Sequence, residues 1–122
     1  MKLYIKLFNR KFDVSTSNGN VRRVYEMQFK VAKTQAEKDI LKRAQDELEL
    51  VQEMPKFLGT MLKLNKQQLK QLDNMDFEAT QGAVGYICQR VLGRSDEQIA
   101  EEKKEDPKSK LESSRMASAE RN

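Results

Sequence analysis

Apolar residues are distributed so unevenly along this 122-residue chain that only part of it can fold around a core of its own. Of 46 hydrophobic residues, 40 fall in positions 1–94; the last 28 positions hold six: Ile99, Ala100, Leu111, Met116, Ala117 and Ala119. The expectation is one small domain over 1–94 and a polar tail over 95–122, weakly helical at first and then disordered. Charge divides at the same place. The first 94 residues carry 17 Lys/Arg against 11 Asp/Glu, and the last 28 carry 6 against 8. A mildly basic body with a mildly acidic tail permits weak phosphate attraction without demanding it.

Missing residue types narrow the chemistry. The chain has no His, which removes His-based triads, imidazole metal ligands and a His general base. Its single cysteine, Cys88, excludes an internal disulfide and a cysteine-rich zinc site. No apolar run reaches the length of a membrane span. The opening Met1-Lys2-Leu3-Tyr4-Ile5-Lys6 is too short and too alternating for a signal peptide, so a reducing cytoplasm is the expected compartment.

Periodicity gives the elements. Leu3, Ile5 and Leu7 alternate with Tyr4, Lys6 and Phe8, a strand pattern. Asn9-Arg10-Lys11 is the expected turn, after which Phe12 and Val14 resume the alternation to complete a β-hairpin. Helical spacing follows: Val21, Val24, Tyr25, Gln28, Val31 and Ala32 form one stripe, widened by Met27 and Phe29, with Asn20 as the expected N-cap. Thr34-Gln35-Ala36-Glu37 fits the capping-box spacing, and Ile40, Leu41, Ala44, Leu48 and Val51 share one face of the helix expected after it. Pro55 should kink that helix or start another, carrying Phe57, Leu58, Met61, Leu62 and Leu64. Asn65 and Asp76 are expected to cap two more helices, and Gly93 to end the second of them. The small residues Gly82, Ala83 and Gly85 on that last helix would let a neighbour approach closely. Ser95-Asp96-Glu97-Gln98 caps a final short segment. The fold expected is therefore mainly α with a small N-terminal β-hairpin, in the α+β class.

No catalytic constellation emerges. The paired acids Glu47/Glu49, Asp73/Asp76 and Glu101/Glu102 belong to helix faces, caps and the tail, where carboxylates are solvated. Cys88 sits between Ile87 and Val91 with no base to activate it. Gly82-Ala83-Val84-Gly85 follows a turn and lacks the dinucleotide pattern. No metal or cofactor is expected. Met54, Phe57, Met61 and Leu62 put apolar groups around most of one helix, and Val24 and Met27 belong to another wide apolar arc. A helix apolar nearly all round either sits centrally in a core or shows a second face to a partner. Met is adaptable at such surfaces, so Val24, Met27, Met54, Phe57, Met61 and Leu62 are the expected partner contacts.

The order of these phrases carries a resemblance. A hairpin opening Met-Lys-Leu-Tyr-Ile-Lys precedes Val21-Arg22-Arg23-Val24-Tyr25-Glu26. A helical middle leads to Asp76-Phe77-Glu78, then Tyr86-Ile87, Val91-Leu92-Gly93 and Ser95-Asp96-Glu97-Gln98-Ile99. Over about residues 1–104 this resembles the tail assembly chaperones of long-tailed phages and prophages of Gram-positive bacteria. The resemblance implies a non-enzymatic helper that acts in the host cytoplasm and leaves the finished virion. It would bind the helical tape measure protein and help recruit tail tube subunits. Self-association is a further expectation, from the hairpin edge and the wide apolar arcs. Two other readings stand beside it: a small basic nucleic-acid-binding regulator using the positively charged body, and a structural tail component retained in the virion.

Overall fold

The N-terminal alternation does form a hairpin, but its turn falls earlier than the sequence suggests. In the computed structural model, which describes residues 1–105, β1 (Lys2–Ile5) pairs antiparallel with β2 (Arg10–Asp13) in the register Leu3↔Phe12 and Ile5↔Arg10. Residues 6–9 make the turn, closed by hydrogen bonds from Phe8 N to Ile5 O and from Asn9 N to Lys6 O, each 3.1 Å. Asn9 takes a left-handed φ of 54°, which asparagine tolerates better than most residues. The Tyr4 hydroxyl donates to its Oδ1. Arg10 and Lys11, expected in the turn, instead pair within β2. Leu3, Ile5, Phe12 and Val14 are buried on one face of the hairpin.

The cap of helix α1 (Asn18–Ala36) is Ser17, three residues before the expected one. Ser17 Oγ accepts from Asn20 N at 3.2 Å, so Asn20 lies in the first turn. It is buried there, donating through Nδ2 to Ser15 O at 2.9 Å and accepting from Arg23 at 2.8 Å. The Thr34 pattern is not a capping box either. The Thr34 hydroxyl donates back to Lys30 O at 2.9 Å, inside α1, and Asp39 caps the next helix by accepting from Leu41 N at 3.0 Å.

Helix α2 (Ile40–Leu62) runs unbroken through Pro55. An interior proline removes one backbone donor and costs about 3 kcal/mol. Met54, Phe57, Leu58, Met61 and Leu62 around it are all buried, and each such side chain contributes roughly 1.5–3 kcal/mol. Burial on this scale outweighs the proline, so no new helix starts there.

Three caps match expectation. Asn65 and Gln68 form a reciprocal capping box at 2.8 and 3.0 Å at the head of α3 (Lys66–Asp73). Asp76 accepts from Ala79 N at 3.2 Å at the head of α4 (Phe77–Val91). Gly93, with φ of 100°, follows α4 in the conformation that favours glycine. A Cβ at Gly59 of α2 would stand 2.9 Å from Leu69 Cδ2, so the bare glycine lets α3 close on α2. Among the described residues, a Cβ at Gly82 or Gly85 would meet nothing within 4 Å, so none of them makes the close approach expected there.

Residues Met1–Leu92 form one compact unit in which α1, α2 and α4 touch pairwise and α3 packs on α2. One core cluster joins the inner face of the hairpin to Val24 and Met27 of α1, Met54 to Leu62 of α2, Leu72 of α3, and Val84, Ile87, Cys88 and Val91 of α4. A second unit starts at Gly93 and holds α5 (Asp96–Glu105), headed by a Ser95–Gln98 capping box at 3.1 and 2.8 Å. The polar segment expected to be disordered lies, after Glu105, outside the described residues.

Candidate partner-binding surface

The six residues expected to contact a partner are all buried: Val24 at 0% exposed, Met61 at 1%, Leu62 at 4%, Met27 and Met54 at 5% and Phe57 at 7%. The structure brings them together, but as the centre of this chain's own core. The reason lies in how the helices meet. The C-terminal half of α2 is contacted by α1, α3 and α4, so its wide apolar circumference is used internally. Met27 and Phe57 reach a surface depression, a cleft of about 150 Å³ bordered by Arg23, Glu26, Lys30, Glu53, Lys56 and Thr60.

Exposed apolar side chains lie elsewhere. On α1, Tyr25 and Phe29 are 57% and 69% exposed. On α2, Ile40, Leu41, Leu48 and Val51 stand out on the half that contributes no buried residue. Two shifts of phase account for the difference. Val24 and Met27, not Tyr25, face the core along α1, so the stripe rotates and turns both aromatics outward. The face of α2 formed by Ile40, Leu41, Ala44, Leu48 and Val51 is real, but nothing in the compact unit covers it. The available signal was length: at 1.5 Å per residue, the 23 residues of α2 span roughly 35 Å, more than the small core needs.

α1 and α2 form an antiparallel pair, joined by a three-residue link and bridged by Lys30 to Glu53 at 3.5 Å and to Glu49 at 4.0 Å, and by Lys33 to Asp46 at 3.8 Å. These partly exposed bridges span the pair and add little stability. Between the helices runs an open groove of about 550 Å³, with Tyr25 and Phe29 on one side, Leu50 and Glu49 on the other, and Arg22 and Lys33 along its border.

Chemistry at this surface is that of contact. Burial pushes the Cys88 thiol up to about 11, and the side chain is 3% exposed, so it packs as a small apolar group. Among the described residues, no group of three His, Cys, Asp or Glu side chains could hold a metal ion. No helix among them is long and apolar enough to cross a membrane. The basic groups are dispersed: Lys30, Lys33 and Arg43 pair with acids of α2, and Arg23 bonds Asn20.

Fold and surface together define a small helical protein with an N-terminal hairpin and an antiparallel α1–α2 pair that leaves apolar side chains exposed. The model of the family of phage tail assembly chaperone proteins matches residues 1–106, and the chain belongs to that family. No curated protein and no solved structure matches it.

Proposed function

We propose that this chaperone binds an amphipathic helical segment of the tape measure protein in the α1–α2 groove during tail assembly in the host cell. Tail tube subunits would then displace it, so that it is absent from the finished particle. The observation that carries the reading is the pair of rings at Tyr25 and Phe29, 57% and 69% exposed one helical turn apart beside the groove. Exposed aromatics at i and i+4 fit the apolar stripe of a second helix, and covering them gains roughly 25 cal/mol per Å². The mixed-sign border, with Arg22, Lys30 and Lys33 against Glu26, Asp46 and Glu49, suits a polar rim around an apolar centre. Met27 and Phe57 extend the contact at the smaller cleft, while Val24, Met54, Met61 and Leu62 hold the helices that present it.

The test is capture of a purified tape measure fragment by the full chain. Phe29→Ala and Tyr25→Ala should each weaken capture about tenfold or more, as aromatic anchors do, with helicity unchanged. Undiminished capture by both variants rejects the groove. Detection of the chain in purified virions rejects the transient role, and salt-sensitive binding to DNA or RNA at low salt would favour the regulator instead.

A further inference from the structure

The smaller cleft is continuous with the α1–α2 groove, since Glu26 and Lys30 line both. Charge along the combined furrow is uneven. The acids that α2 gives to it are Asp46, Glu49 and Glu53, and each is already paired with Lys30 or Lys33 of α1. Three further cations line it, Arg22 in the groove and Arg23 and Lys56 in the cleft, all exposed. Among the described residues, none of the three enters an ion pair, and Arg23 donates only to the neutral side chain of Asn20. Against them stands one acid, Glu26, and the first turn of α1 holds none. We propose that this end of the furrow recognises anions, and that the helix bound there carries Asp or Glu immediately beyond its apolar stripe. This names the chemistry of the partner and rests on the groove being a helix-binding site.

The positions fit one guest helix. Arg22, Tyr25, Phe29 and Lys33 follow at steps of three, four and four, a single stripe along α1. Its middle is aromatic, one end is the neutralised Lys33–Asp46 pair, and the other is Arg22. Because α2 runs antiparallel to α1, its C-terminal half lies beside the head of α1, which sets Lys56 in the same cleft as Arg23. A helix that lays apolar groups over Tyr25 and Phe29 therefore brings its next turn over the three cations. One exposed ion pair contributes little. Three cations at one end, together with repulsion of the wrong sign, discriminate between partners. A nucleic-acid backbone needs cations along its whole track, and the rest of this furrow is charge-balanced and apolar.

The test is fluorescence anisotropy of the full chain with three labelled helical peptides of about 18 residues, identical in a leucine stripe and flanked at both ends by Glu, Gln or Lys. The Glu-flanked peptide binds about tenfold tighter than the Lys-flanked one, the Gln-flanked peptide falls between, and the gap narrows as salt rises. Arg22→Glu combined with Lys56→Glu, both at exposed sites, leaves the circular dichroism unchanged and reverses the order; Arg23 is kept because it bonds Asn20. Equal affinity for three peptides that all respond to Phe29→Ala overturns the acidic end and leaves the groove standing. Binding of none of them overturns both. An order of affinities unmoved by the double variant overturns the acidic end as well. So does binding of a short DNA duplex that the double variant abolishes while the peptide order stays, which would assign these cations to phosphates.

Discussion

Asp13 shows how much a single exposed charge can contribute here. The amino group of Met1 donates to its Oδ1 at 3.0 Å and to Val14 O at 3.1 Å, tying the start of β1 to the end of β2. That hydrogen bond, then the positive charge of the amino group, lowers the Asp13 pKa below its ordinary value of 3.8. A carboxylate whose pKa is depressed by folding stabilises the native state above its unfolded pKa. The contribution is lost as pH falls through the folded value. Asp13→Asn should therefore be slightly less stable than the parent at neutral pH, and the gap should close as acid protonates Asp13. Urea unfolding at a series of pH values checks this; a gap that persists well below the carboxylate range would show that the side chain acts by something other than its charge. The local caps are legible at the same scale. Asn65, Asp76 and Ser95 were identifiable because each cap is a contact between neighbours in sequence. Asn20 and Thr34 were misassigned because Ser17 and Asp39, equally good caps, stand close by.

Among the elements, α4 offers the cleanest measurement. Gly82 and Gly85 sit in its interior with a helical backbone, and a Cβ at either would meet nothing within 4 Å. Glycine in a helix costs roughly 0.5–1 kcal/mol relative to alanine, mostly through the freedom it keeps when unfolded. Gly82→Ala and Gly85→Ala should each stabilise the protein by about that amount and raise Tm by a few degrees in thermal melts. Destabilisation by either would mean that α4 is closely approached at that position after all. The contrast with Gly59, where α3 comes near, cannot be drawn from composition, since it depends on which helix lies alongside. Pro55 teaches the same lesson in reverse. Its rule is local, but the burial that overrides it is assembled from α1, α3 and α4.

For the molecule as a whole, the division between core and surface can be tested directly. Phe57→Ala and Met61→Ala should lower unfolding free energy by about 2–5 kcal/mol, as truncations in a packed interior do. Phe29→Ala, an equally large change on an exposed side chain, should stay within about 0.5 kcal/mol. Chemical denaturation of the three variants distinguishes residues that build the chaperone from residues that greet its partner; equal losses would remove that distinction. The sequence alone determined the hairpin, the mainly helical class, the caps at Asn65, Asp76 and Ser95, and the likeness to the tail assembly chaperones, because alternation, caps and local phrases are written in consecutive residues. Only the tertiary structure decided that Met54, Phe57, Met61 and Leu62 turn inward while Tyr25, Phe29, Leu41 and Leu48 face outward. An apolar stripe records that a face seeks cover; which neighbour supplies it is fixed by contacts between segments distant along the chain, and those follow from packing.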